Sequence, residues 1–557
     1  MYIFSTEFLL GGAKINCKNE SNDGFDFKIK KSRNRIKASI VAKKDIEMCK
    51  LSVEGPMEFS ADDVFYANGF QSWTTSREFT RNDCLKGYTK LSNVLGTTKD
   101  MATVSGDYDY TTYGEKGRFH SHTYCYFRKK GSRDITLYGS KSERQGFTIF
   151  EADMNKETFS IIKDIEGLKL SKGQEYEVFD IKIIKGDFDK VFDNYFFKFV
   201  GVKKPKIDHL AGYTSWYNYF QNIDESIILR DLDGLDAVKE YTNIFQVDDG
   251  YESAVGDWLF CDGKKFPHGM KFIADKIHEK GYMAGLWLAP FNAQKDSVTL
   301  KKHPEWVIRD NETGKKLLGS ISWNGAYTFD IYNEDFRKYL KKVFDTVLNN
   351  WGFDMVKLDF LYSQCRQPRN GKTRGEIMCD GIDLLRECCG DKLILGCGVP
   401  LGACMGVFDA CRISCDADKN YESLLNKINV NLEVPSSKNA ITNTIFRSHL
   451  NGRAFCNDPD VFFLRDLNIQ YTEEQKMLHA KVNSICGDVL FVSDNAGYYT
   501  KKRLSQLKEF LKKHDYLIKL AEMENESIVR LDFIENGVEK SLKFDLNTGV
   551  GNIFDVL

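Results

Sequence analysis

The pentapeptide Val356-Lys357-Leu358-Asp359-Phe360 carries a lysine and an aspartate among apolar neighbours. It reads as a buried parallel strand, and a core has no use for either charge. Side chains alternate along a strand, so Lys357 and Asp359 share one face while Val356, Leu358 and Phe360 take the other. The spacing returns at Arg412-Ile413-Ser414-Cys415-Asp416, where Arg412, Ser414 and Asp416 line one face of another short strand. Each strand thus offers one carboxylate. Cleaving a glycosidic bond needs such a pair: one carboxylate attacks or stabilises the anomeric carbon, and one protonated carboxyl assists the leaving oxygen. Lys357 holds Asp359 ionised, which favours Asp359 as nucleophile. Asp416 stands beside apolar and thiol neighbours, where desolvation raises a carboxyl's pKa and suits it to proton donation.

Eight strand candidates position these groups: Ala211–Trp216, Asn243–Asp249, Tyr282–Pro290, Asp354–Phe360, Lys392–Gly398, Ala410–Asp416, Arg453–Asp458 and Asp488–Asp494. Helical stretches separate them. Met270, Ile273, Ala274 and Ile277 fall at helical spacing before Gly281, and Phe336, Tyr339, Leu340, Val343, Phe344 and Val347 follow a possible cap at Asn333. This rhythm predicts a (β/α)₈ barrel over 205–505, with chemistry at the C-terminal strand ends. Asp248, Asp249, Trp287, Asp359, Cys397, Asp416, Asp458 and Asp494 close the apolar runs and converge on that rim. Residues 1–200 alternate as an antiparallel β-sandwich does, as in Ile36-Lys37-Ala38-Ser39-Ile40. Residues 510–557 return to alternation around Asn536-Gly537, a type I′ hairpin signal in a small C-terminal β-domain.

Composition narrows the chemistry. The net charge of −2, from 78 basic and 80 acidic residues, argues against nucleic acid and anionic membrane as partners and points to a small, roughly neutral substrate. No apolar run reaches the length of a membrane span, and Glu7 interrupts the only candidate for a secretion signal. Fifteen irregularly spaced cysteines fit reduced thiols and a cytoplasmic location. No phosphate-binding loop appears, and Cys388, Cys389, Cys397, Cys404, Cys411 and Cys415 lack the paired spacing of a structural zinc site, so neither metal nor cofactor is expected. The nine histidines offer no triad pattern.

The chain resembles the retaining α-galactosidases of glycoside hydrolase family 36, which share a clan with family 27 enzymes and plant raffinose synthases. The resemblance runs through Gln246-Val247-Asp248-Asp249-Gly250, Gly285 to Pro290, His303-Pro304-Glu305-Trp306, Val356 to Phe360, Cys397-Gly398, Arg412 to Asp416 and Asn457-Asp458-Pro459-Asp460. It implies Asp359 as nucleophile and Asp416 as acid/base, and the same three-part fold. It further implies Asp248 and Asp249 as acceptors for the galactose C4 and C6 hydroxyls, assisted by Lys357. Cys397 and Arg412 are implied near the C2 hydroxyl, with Trp287, Trp216, Tyr217 and Trp73 as aromatic contacts. Each has a plainer rival: a turn cap for the Asp pair, barrel filling for Trp287, a structural ion pair with Asp416 or Asp409 for Arg412, and sandwich core for Trp73.

Ile413-Ser414-Cys415 stands where many relatives carry a tryptophan before the acid/base, and the loop Gly398-Val399-Pro400-Leu401-Gly402 lacks the longer glycine-rich run of larger members. Tolerance of an N-acetyl group at C2 therefore stays open. The expectation is an exo-acting, retaining α-galactosidase, monomeric or else a homo-oligomer. The alternatives are an α-N-acetylgalactosaminidase, a raffinose-type galactosyl transferase and a catalytically silent sugar-binding protein.

Overall fold

The computed structural model describes residues 2–85, 114–423 and 436–557 of the 557. Two seven-stranded antiparallel sheets form the N-terminal part. The strand Arg35–Ala42 shows why they face each other: Ile36, Ala38, Ile40 and Ala42 are buried while the residues between them are partly exposed. This is the period-two pattern of a half-buried strand. These side chains join Phe4, Phe8, Met48 and Leu51 of the opposite sheet in one core.

The barrel strands are numbered here β1 (Leu210–Thr214), β2 (Ile244–Val247), β3 (Met283–Leu288), β4 (Met355–Leu358), β5 (Leu393–Gly396), β6 (Ala410–Arg412), β7 (Cys456–Asp458) and β8 (Val489–Val492). They pair in parallel in the order β7-β6-β5-β4-β3-β2-β1-β8, a nearly closed barrel. At the seam between its two end strands, Phe462 N–H donates to the Phe491 carbonyl at 3.3 Å. All eight expected strands are present; seven end earlier than their apolar runs, and β7 ends on Asp458 as its run does. Asp249, Asp359, Cys397, Asp416 and Asp494 thus lie just beyond their strands, whereas Trp287 and Asp458 lie within theirs. Helices cover the outside: Gly269–Glu279 buries Met270, Ile273, Ala274 and Ile277, and Glu334–Asp345 is capped by Asn333, which accepts from Asp335 N–H and Phe336 N–H.

Sequence periodicity does not disclose a three-stranded antiparallel insert after β3, built from Asn292–Gln294, Leu318–Ser320 and Ala326–Thr328. Its strands are too short to show a repeat. The C-terminal part is a four-stranded antiparallel sheet over Tyr516–Gly551. Asn536 and Gly537 both take positive φ, 49° and 86°, as a type I′ turn requires.

The sandwich is fastened to the barrel by a buried guanidinium. Arg447 donates from Nη1 to the carbonyls of Ser72 (2.6 Å) and Ile413 (2.7 Å), and from Nη2 to those of Gln71 (3.0 Å) and Gly69 (3.4 Å). Asn443, on the helix leading to it, accepts from Ser76 N–H at 2.8 Å. The sandwich loop over residues 69–76 is thus laid across the barrel mouth. The C-terminal sheet is tied in by Arg128, which is within 2.5 Å of Glu78 in its own sandwich and 3.4 Å of Glu522. Arg447→Met leaves these carbonyls without their donor, so it is expected to cost roughly 2–4 kcal/mol. Differential scanning calorimetry reads this as a lower Tm, and an unchanged Tm would refute the fastening role.

Candidate active site

The rim separates into two clusters of charge. On the first, Lys357 at the end of β4 donates from Nζ to Asp248 Oδ2 at 2.9 Å, with both side chains almost wholly buried. Gln246 Nε2 donates to the same oxygen at 2.7 Å, and Asp248 Oδ1 accepts Asp249 N–H at 2.9 Å. Burial opposes the charge on Lys357, but the Asp248 carboxylate overrides it, and the ammonium titrates above the ordinary lysine range. The expected partnership of Lys357 with Asp359 needs correcting here. The strand stops at Leu358, so the lysine reaches across to β2 and acts on Asp359 only through space.

Asp249 is gripped differently. Gln221 Nε2 lies 3.1 Å from both carboxylate oxygens, and Trp323 Nε1 donates to Oδ2 at 2.8 Å. The turn between them admits only glycine at position 250, where φ is +119° and a Cβ would lie 2.8 Å from Gln221 backbone atoms.

Asp359 follows β4 and is buried. Its Oδ1 accepts Phe360 N–H at 2.8 Å and its Oδ2 accepts Trp287 Nε1 at 3.2 Å. Phe360 itself sits in the left-handed region at φ 55°, which turns the chain sharply out of the barrel immediately after the carboxylate. Burial pushes the Asp359 carboxyl above the usual range and the charge of Asp416 adds to this, while Lys357, the Trp287 indole and the Cys397 thiol pull the other way. The influence of the Asp416 charge on Asp359 places the two carboxyl groups in one electrostatic neighbourhood, and Cys397 feels both of them together with Lys357 and Arg412.

The second cluster surrounds Arg412, at the end of β6. It bonds Asp416 at 2.8 Å, Asp458 at 3.2 Å and Asp460 at 2.8 Å. Most of its five N–H groups are engaged this way, so the ion-pair reading of Arg412 with Asp416 is the observed geometry, whereas Asp409 pairs with Arg386. The surroundings expected for Asp416 also differ: its side chain is 39% exposed beside a guanidinium, not enclosed by apolar and thiol groups. The residue lies beyond β6, where the chain has left the ladder.

The expected aromatic contacts divide. Trp287 is buried, but its indole N–H is committed to Asp359, so barrel filling is not its whole role. Tyr217 is buried and gives its hydroxyl hydrogen to Asp460, within the Arg412 cluster. Trp216 packs edge-on against Phe220. Trp73 does come from the sandwich to the rim: its ring packs against Phe360 at 5.3 Å and Tyr362 at 5.6 Å. A Cβ at Gly398 would lie 3.0 Å from that ring.

Sequence reasoning did not single out Gln221, Trp323 or Asp460 as site residues. Trp323 occupies the tip of the insert at φ 56°, and its ring contacts Phe360 and Trp287. A lone tryptophan in a Ser-Trp-Asn-Gly turn gives no sequence signal of that reach. Asp460 stands in Asn457-Asp458-Pro459-Asp460, two residues past the end of β7, and that spacing is its signal in the sequence. Among the described residues, no group of three or more His, Cys, Asp or Glu side chains is arranged to hold a metal ion.

Residues 225–376 match the family model described as Melibiase. The chain is similar to the family 36 α-galactosidases. Among curated relatives, an A-type blood α-D-galactosamine galactosaminidase of Flavonifractor plautii is 29% identical over 184 residues, which is 31% of this chain and 16% of the relative. The α-galactosidase Mel36A of Lactobacillus acidophilus is 28% identical over 123 residues, 21% of this chain and 16% of the relative. The matched part of the chain thus spans 16% of the length of each of these two relatives. Among solved structures, the α-galactosidase TtGalA of Thermus thermophilus superposes with a TM-score of 0.70 at 21% identity, covering 98% of this chain and 100% of that one. The family 36 α-galactosidase AgaA of Geobacillus stearothermophilus gives 0.61 at 12% identity, over 91% of this chain and 70% of that one. These neighbours share the sandwich, barrel and C-terminal sheet.

A carboxyl whose folded pKa is raised contributes stability that is complete below its unfolded pKa and is lost as pH rises through the folded one. Asp359→Asn is therefore expected to raise the Tm at neutral pH, with the gain shrinking as the pH falls into the ordinary carboxylate range. Calorimetry across that range checks the sign, and a variant less stable than the parent at neutral pH would contradict it.

Proposed function

We propose that the protein is an exo-acting α-galactosidase that releases terminal α-linked galactose from oligosaccharides by double displacement with retention. The observation that carries this reading is the buried, indole-bonded Asp359, which shares its surroundings with the half-open Asp416. Asp359 attacks the anomeric carbon and becomes the ester carboxyl of a glycosyl-enzyme, while Asp416 gives a proton to the departing oxygen. Asp416 then takes a proton from water, which attacks the same carbon and returns Asp359 to its carboxylate. The openness of Asp416 suits both tasks, because the leaving group and the water arrive from that side. Arg412 holds Asp416 in place but divides its charge with Asp458 and Asp460.

Asp248 and Asp249 are fixed acceptors at the end of β2, two strands from β4, and they suit the C4 and C6 hydroxyls of galactose. An epimer would leave such buried acceptors unpaired, which is how a polar site rejects it. Lys357 has N–H capacity beyond its bond to Asp248, for the C3 or C4 oxygen. Cys397 lies beside Asp359 and suits the C2 side, and Trp73 closes the outer wall. Support for the substrate class comes from neighbours solved with p-nitrophenyl α-D-galactopyranoside, stachyose and raffinose.

A second reading is favoured by the Flavonifractor plautii relative, whose name describes a galactosaminidase. Here the sugar carries nitrogen at C2. Comparing p-nitrophenyl α-glycosides of galactose, galactosamine and N-acetylgalactosamine separates the readings, and a preference for either amino sugar would replace the first with the second.

On the galactoside, Asp359→Ala is expected to lower kcat at least about 10³-fold. Asp416→Ala should lower it about 10²- to 10⁴-fold with an unactivated leaving group and less with p-nitrophenol, which departs without a proton. Proton NMR of the first-formed product should show α-galactose, and β-galactose would sink the retaining mechanism.

A further inference from the structure

The turn that presents Asp249 contains a second buried carboxyl, Glu252, which neither cluster uses. Its side chain folds back over the turn, with Oε2 accepting Gly250 N–H at 3.2 Å; the carboxyl also meets its own backbone N–H and, as its side-chain partner, the Asp249 carboxyl. A backbone bridge to Cys261 holds the residue from the other side. The other donors to Asp249, the Gln221 amide and the Trp323 indole, are neutral. The nearby cations are spent elsewhere: Lys357 pairs with Asp248, and Lys265 donates to the Gly250 carbonyl at 3.0 Å and the Gln221 carbonyl at 2.8 Å.

We infer that Glu252 is a positioning residue that donates its carboxyl proton in a hydrogen bond to Asp249 and so fixes how that carboxylate faces the sugar. The substrate side of this rests on the α-galactosidase reading, whereas the contact itself does not. Two touching carboxyls buried without a cation cannot both be ionised. Burial first, and the Asp249 charge second, push the Glu252 carboxyl well above the ordinary glutamate range, so the proton resides there. A carboxylate has about four lone-pair positions. With Gln221, Trp323 and Glu252 taking three directions, the acceptor capacity left on Asp249 has a single orientation. Among groups around Glu252, the Tyr251 phenol is likewise pushed up by burial, so it stays neutral and leaves the proton on Glu252.

Loss of that proton at alkaline pH puts two negative carboxylates in contact and turns Asp249 away from the substrate. KM for a galactoside should therefore rise at alkaline pH in the parent enzyme. Glu252→Gln keeps an acceptor for Gly250 N–H and an N–H donor for Asp249 that cannot ionise. It should hold KM within about twofold at neutral pH and remove the alkaline rise, whereas Glu252→Ala should raise KM roughly tenfold with kcat little changed.

The readouts are KM and kcat for p-nitrophenyl α-galactoside across the pH range and the infrared difference spectrum between parent and Glu252→Gln at neutral pH. The parent should show a protonated-carboxyl C=O stretch that the variant lacks. Absence of that band, or an alkaline KM limb that persists in Glu252→Gln, overturns the inference. The spectrum needs only the isosteric variant, so a folding failure of Glu252→Ala leaves it intact. It also needs no turnover, so an inactive parent would refute the functional reading while the contact is still judged by its band.

Discussion

The pocket buries more carboxyl groups than cations, and its chemistry follows from that imbalance. Lys357 and Arg412 supply the positive charge, and both are committed, the first to Asp248 and the second to Asp416, Asp458 and Asp460. In a low-dielectric interior, unmatched negative charge draws protons. Asp359 is accordingly pushed up, and Asp460, despite its contact with Arg412, is pushed up to about 7, chiefly by burial and further by Asp416 and Asp458. On the proposed reading, an excess of acid around a sugar serves two purposes. It provides hydroxyl acceptors, and it keeps exchangeable protons close to the bond being broken.

The two clusters divide the work by exposure. Asp359 is enclosed and held by an indole and a backbone N–H, which would align the proposed nucleophile without neutralising it. Asp416 is open and held by a guanidinium on one side, which suits a group that must meet both the departing alcohol and water. The early ends of β4 and β6 make this division feasible, because the chain turns sharply at the left-handed Phe360 immediately after Asp359 and has left the strand before Asp416.

The sequence was legible where the period was long or the signal local. The barrel strands, the Asn333 cap and the Asn536-Gly537 turn rest on runs or dipeptides that carry their own physics. The carboxylates at strand ends were legible for the same reason, since a charge closing an apolar run needs a purpose. Side-chain partners were not. The partner of Lys357 was assigned by alternation within one strand, whereas the ion pair crosses from β4 to β2. Chain neighbours suggest an apolar surrounding for Asp416, whereas the guanidinium that decides its setting projects from the end of β6, four residues earlier and across a segment with no regular period. Trp323 depends on an insert whose strands are three residues long, below the length at which alternation can be read.

Arg447 lies wholly inside the molecule, with its charge spread over carbonyl oxygens from both the sandwich loop and the barrel. Neither half alone can solvate it as the pair does. Drift in one half therefore has to be answered in the other, and exchanging sandwiches between relatives means transplanting the loop over residues 69–76 along with the helix that ends at this arginine. The proposed sugar pocket inherits the same dependence, because Trp73, which packs on Phe360 beside Asp359, rides on that loop.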